Sequence, residues 1–220
     1  MRIVKWTLGT TALILLLLYG VMFWWPRPPD TTEDRVFAAD GAQLDYCALP
    51  ELDGNGPGAH DIPKAYTPAA PDCYYTTFPM PVLQNCREPI AAGFPDMRGL
   101  WLSYEGLEGH MERIEQCGDR IVVTSHGIIH DFHADGTLKN GSRDTEGATN
   151  SCVNTWASMH VDADAVLNFH PFGISTITVV KRWMEGDELR WTYPRFEDVI
   201  KMKRICTVPD DQRVFSPSFR

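Results

Sequence analysis

The 220-residue chain is short of positive charge: 20 Lys and Arg stand against 29 Asp and Glu, a formal net charge of −9. Arg2 and Lys5 are the only charges in residues 1–25, so taking these two cations off −9 leaves −11 on the rest. Phosphate binding needs a basic face, so a body this acidic argues against nucleic acid as a partner. Reaction signatures are missing too. There is no Gly-x-Ser-x-Gly elbow, no His-Glu-x-x-His pair and no phosphate-cradling glycine loop. No Cys-x-x-Cys occurs, and the six cysteines are spaced too widely for a zinc module. The absence of a sequence repeat argues against a propeller or solenoid.

What is present begins with residues 6–25, WTLGTTALILLLLYGVMFWW, which no charge interrupts. Twenty helical residues rise about 30 Å, the thickness of a hydrocarbon core. Trp6 stands at one end and Trp24 with Trp25 at the other, where interfacial aromatics belong. The sequence therefore predicts one transmembrane helix, with a cytoplasmic N-terminus set by Arg2 and Lys5 and the remainder in a bacterial-type periplasm. A cleaved signal peptide is the competing reading, but its apolar core is usually shorter and leads directly to small residues. All six cysteines (Cys47, Cys73, Cys86, Cys117, Cys152, Cys206) follow the span. An even count in an extracytoplasmic segment favours disulfides, and six cysteines leave 15 connectivities open.

Residues 26–96 hold twelve of the sixteen prolines and no run with helical apolar spacing. Such a segment cannot build a core alone. It nevertheless carries Tyr46, Tyr66, Tyr74, Tyr75, Phe78 and Phe94. It reads as an extended arm, pinned by disulfides and laid against the globular part. From about residue 97 the texture changes. Short runs rich in Val, Ile, Thr and aromatics fall at Gly99–Glu105, His110–Cys117, Arg120–Ser125, Ile128–His133, Cys152–Val161, Ala165–His170, Ile174–Trp183, Leu189–Tyr193 and Val199–Val208. Turn signals separate them, among them Gly118-Asp119, Asp135-Gly136, Asn140-Gly141, Asp162–Asp164 and Gly186-Asp187. Short strands in succession without helices indicate an antiparallel meander, and closing into a barrel hides its edges. The fold class expected is therefore mainly β: an up-and-down barrel of eight or nine strands over residues 97–208, ahead of a short tail at 209–220. His110–Cys117 fits neither an inner nor an outer face.

Gly99-Leu100-Trp101, opening the first of these strands, resembles the Gly-x-Trp signature of lipocalins and other calycins. That resemblance implies a tryptophan closing the bottom of the barrel, with a basic side chain from the last strand across it. Arg204 is the matching residue and Lys203 the other choice. It further implies a cup for an apolar or amphipathic molecule, or a cup reused for protein contacts. Trp156, Trp183, Trp191, Tyr193 and Phe132 are the expected ligand-binding residues.

Three of the seven histidines crowd into His126-Gly-Ile-Ile-His130-Asp-Phe-His133. On one continuous strand His126 and His130 share a face, while His133 points the other way. A divalent metal or haem iron is the chemistry such a pair could serve, with His130, beside Ile128 and Phe132, the best single axial ligand. No other cofactor is expected. The carboxylates mostly fall at turns, where turn chemistry accounts for them. The function expected is a non-catalytic, membrane-anchored binding module for an apolar or amphipathic ligand; the alternatives are an accessory subunit of a larger membrane protein complex and, third, a histidine-based metal or haem binding protein.

Overall fold

The structure, a computed structural model, describes residues 10–11, 13–18, 40–65, 67, 75–125, 128–146, 151–171, 178–194 and 196–213, the side chains of 140–146 and 151–156 excepted. The chain divides into two units, Met1–Asp30 and Thr31–Arg220. In the first, 10–11 and 13–18 are helical, and Leu13–Leu18 are exposed. Among the described residues no helix is long and apolar enough to cross a membrane. Most of the expected span, Trp6, Trp24 and Trp25 included, lies outside the described residues.

The second unit is built on ten strands: β1 (Gly99–Glu105), β2 (Met111–Cys117), β3 (Arg120–Ser125), β4 (Ile128–His133), β5 (Lys139–Glu146), β6 (Ser151–Val161), β7 (Leu167–His170), β8 (Val180–Glu185), β9 (Glu188–Thr192) and β10 (Ile200–Ile205). They form one antiparallel sheet in the order β4-β3-β2-β1-β10-β9-β8-β7-β6-β5. Every strand pairs with its sequence neighbours except β4 and β5, and β1 pairs with β10, so the meander curls almost completely on itself. The seam falls between β4 and β5, which lie side by side without a hydrogen-bonded ladder. The barrel expected from the strand pattern is thus present, with one strand more than predicted. The added strand is β5. Asn140-Gly141 reads locally as a hairpin turn but lies inside β5, at a shift of register against β6 between Asn140 and Ser142. A glycine within a strand marks such a bulge as readily as it marks a turn. The predicted strand at Ala165 begins only at Leu167. Ala165 sits at φ 59° in a turn whose Asp164 and Val166 N–H groups donate to the Asp162 carboxylate.

Period-two alternation fills the interior. Trp101, Ile114, Val123, Phe132, Met159, Leu167, Phe169, Leu189, Trp191, Ile200 and Met202 belong to one buried cluster. The bottom is closed as the resemblance implies. The Arg204 guanidinium lies 4.8 Å from the centre of the Trp101 ring. Trp101 Nε1 donates to the Met97 carbonyl at 2.8 Å, which satisfies the indole.

β2 explains why its sequence fits neither face: all seven of its residues are buried. The arm covers the outer wall here. Ile62, Ala65, Val82, Leu83 and Cys86 pack on Cys117, Val122 and Ile129. Ala42, Tyr46 and Phe78 pack on Leu100, Met111 and Val208. An arm whose described residues hold little regular structure beyond one 3-10 turn, Gly41–Gln43, must satisfy most of its backbone elsewhere, and the wall's polar side chains do this. Arg113 donates to the Pro79 and Met80 carbonyls. Buried Arg120 donates to Ala59, Ile62 and Pro63 and also forms a two-pronged pair with Asp131 at 2.7 and 2.8 Å. Asp131 in turn accepts from the Ala65 N–H. On β4, at the seam, Ile129 donates its N–H to the arm's Thr67 Oγ1 at 2.8 Å. Cys86–Cys117 and Cys47–Cys206 fasten the arm covalently to β2 and to the end of β10. Tyr66, Cys73 and Tyr74 lie outside the described residues.

Candidate functional site

The lower barrel is solid. Trp101, Ile121, Leu167, Leu189, Ile200 and Met202 have no accessible surface, so no void that would admit a water touches them. Polar chemistry enters higher up. Glu112 on β2 and Arg182 on β8 both alternate inward and are 2% and 5% exposed. Arg182 Nε and Nη2 donate to the two Glu112 oxygens at 2.9 and 2.7 Å. His110 Nε2 lies 3.2 Å from Glu112 Oε1 and 3.5 Å from Ser125 Oγ. Burial pushes the Glu112 carboxyl up, but the Arg182 charge and hydrogen bonds from His110 and Arg182 outweigh it and hold the group well below the usual carboxylate range. The pair is therefore ionised and mutually neutralised.

Trp191 completes the cluster. The Arg182 guanidinium is 5.4 Å from the Trp191 ring centre, and the His110 ring is 5.2 Å from it. Trp191 Nε1 is buried and, among the described residues, has no hydrogen-bond partner. Above it stands an apolar rim. The Phe196 ring packs on Trp191 and Tyr193, with centroids 6.2 and 5.7 Å apart, and Phe196 itself is exposed. Leu107 joins the rim from the β1–β2 loop. That loop is held against β10, since a Cβ on Gly106 would meet the Val199 carbonyl at 3.1 Å.

Of the residues expected to line a ligand site, Trp191 and Tyr193 meet here. Phe132 is inside but lower, packed on Phe169 with centroids 5.5 Å apart. Trp183 requires correction: with Val180 and Arg182 inward, it alternates to the outer wall between exposed Lys181 and Glu185. The Trp156 side chain and the whole of His126 lie outside the described residues. His130 faces inward against Phe169, with centroids 4.8 Å apart. Sequence reasoning missed His110, Glu112 and Arg182. Their signal was parity: Glu112 shares its face with Ile114, and Arg182 shares its face with Val180.

A concavity lies outside the barrel, between the arm and the bottom of β1 and β2. Its volume is ≈ 240 Å³, and Leu44, Leu49, Pro81, Leu83, Arg113 and Glu115 are among its walls. Glu115 accepts the Leu83 N–H at 2.8 Å. Arg113 Nε stands 3.3 Å from Glu115 Oε2, close enough for attraction but misaligned for a hydrogen bond. Burial pushes the Glu115 carboxyl up, and Arg113 only partly opposes it.

No family model and no curated protein matches the chain. Among solved structures, human cRBP IV is similar at 15% identity, over 50% of this chain and 99% of that one, with a TM-score of 0.39. The fold is a lipocalin-like barrel. The observations that establish this are the chain's own: the near-closed meander and the Gly99-x-Trp101 entry under Arg204.

Proposed function

We propose that the chain is a non-catalytic, membrane-anchored binding module that displays its barrel on the periplasmic side and takes an amphipathic molecule at the barrel mouth. The buried Nε1 of Trp191, without a hydrogen-bond partner among the described residues and beneath the Leu107–Tyr193–Phe196 rim, carries this reading. A buried N–H without an acceptor costs about 1–3 kcal/mol, which a ligand acceptor would recover. The rim supplies apolar area, worth about 25 cal/mol per Å² before costs. Because Glu112 already neutralises Arg182, the fitting head group is uncharged: a hydroxyl or carbonyl oxygen, not a carboxylate. The residues 6–25 sequence supports the anchor, and the disulfides Cys47–Cys206 and Cys86–Cys117 support an oxidising compartment. The test is a titration of the full chain in mild detergent with a pyrene-labelled fatty alcohol and the fatty acid of equal length. Binding of the alcohol, with affinity falling about tenfold in Trp191→Phe, is expected. Binding of neither probe, together with no small molecule in an organic extract of the purified protein, overturns the proposal.

The solid lower barrel favours one second reading, an accessory subunit whose barrel is a rigid body for protein contacts. A partner that co-purifies in mild detergent, with no probe bound, is the outcome that reading expects.

A further inference from the structure

At the bottom of the barrel, His60 of the arm, Asp119 of the β2–β3 turn and His133 of β4 bring one donor atom each to within 4.8 Å of one another. The His60 and His133 rings are stacked, with centroids 4.2 Å apart and planes 9° apart. His133 Nδ1 lies 2.6 Å from Asp119 Oδ1. We propose that these three side chains bind a divalent transition ion of the zinc type, which ties the arm to the barrel through a site distinct from the mouth. The donor set is two imidazoles and a carboxylate, the mixed N,O chemistry that such ions take, with the fourth position left to water. Tetrahedral zinc needs donors about 3.4 Å apart: rotation of the exposed His60 side chain brings its nitrogen closer, while the His133–Asp119 contact opens from 2.6 Å and releases its shared proton to solvent.

An independent feature points the same way: the frame that holds the three residues is buried and fixed. Arg120 follows Asp119 in sequence and is the cross-strand partner of His133. Its guanidinium donates to the carbonyls of Ala59 and Ile62, which flank His60. Asp131 and the Ala65 N–H lock that guanidinium in place. The Ala134 N–H, next to His133, donates to the Asp119 carbonyl at 2.7 Å. One buried arginine thus sets the position of His60 against Asp119 and His133, as a preorganised metal site requires.

The experiment uses the full chain in mild detergent, stripped with chelator and titrated with zinc chloride by calorimetry. One ion per chain is expected. His60→Ala and Asp119→Asn should each weaken binding at least about tenfold. Since His60 is exposed, His60→Ala should keep the metal-free melting temperature, so lost affinity there is not lost folding. Zinc should slow proteolysis of residues 51–65 in the unaltered chain and leave His60→Ala unprotected. His160→Ala, from the stacked His160–His170 pair elsewhere on the barrel, should retain full affinity. Equal zinc affinity in His60→Ala and the unaltered chain, or loss of binding in His160→Ala, overturns the proposal. Neither result would touch the reading of the barrel mouth.

Discussion

Gly99 adopts φ +139°, and a Cβ there would stand 2.9 Å from Arg204 Nε. The glycine of the entry signature is thus required by the arginine that crosses it on the way to Trp101. Gly99→Ala is expected to cost about 1–3 kcal/mol in urea unfolding, through backbone strain and displacement of Arg204. Glu112→Gln should cost more, about 3–5 kcal/mol, because it strands the buried Arg182 charge. Replacing both partners together, as Glu112→Leu with Arg182→Met, should recover most of that loss. The two buried glutamates of β2 should act in opposite directions on pH dependence. Glu112 is held low, so its contribution is full above the usual carboxylate value and is lost as pH falls toward its folded value. Glu115 is held high, so the native state binds its proton more tightly than the unfolded chain does. Its effect is a loss of stability as pH rises from the usual carboxylate value to the raised one. Glu115→Gln should remove that loss and be at least as stable as the unaltered chain at neutral pH. Unfolding midpoints measured across the acidic range check both signs.

At the level of elements, the strands were legible because their side-chain period is two. β1, β3 and β4 run Gly99–Glu105, Arg120–Ser125 and Ile128–His133, the bounds that the sequence predicts. β5 was not legible, because Asn140-Gly141 carries the local signal of a turn and only pairing with β6 makes it a bulge. The arm has no period at all. What orders it is the outer face of β2, β3 and β4, whose Arg113, Glu115, Arg120 and Asp131 meet its backbone. Asp131→Ala leaves Arg120 buried without its counter-charge and should cost about 3–5 kcal/mol. Limited proteolysis should then cut the arm between residues 51 and 65 faster than in the unaltered chain. The Cys86–Cys117 bond spans 31 residues and Cys47–Cys206 spans 159, so removal of either should cost about 3–5 kcal/mol on chain-entropy grounds.

As a whole, Thr31–Arg220 is one unit, so arm and barrel should unfold together in a single transition. A chain that starts at residue 97 would expose Leu100, Met111, Val122 and Ile129 on its outer wall. Such a truncation should bind the dye ANS and aggregate, whereas the intact unit should not. By itself the sequence determined the barrel and an arm that must lie against a core, and its Gly99-x-Trp101 resemblance pointed to Arg204 or Lys203 across the entry tryptophan. The barrel and the arm follow from local alternation and from composition, which need no knowledge of distant contacts. Only the tertiary structure decided that β2 is buried on both faces, that His110, Glu112, Arg182 and Trp191 converge, and that His60 reaches Asp119 and His133. Each of those joins residues from separate strands or from arm and barrel. Register and closure bring them together, and no short sequence window contains each set of partners.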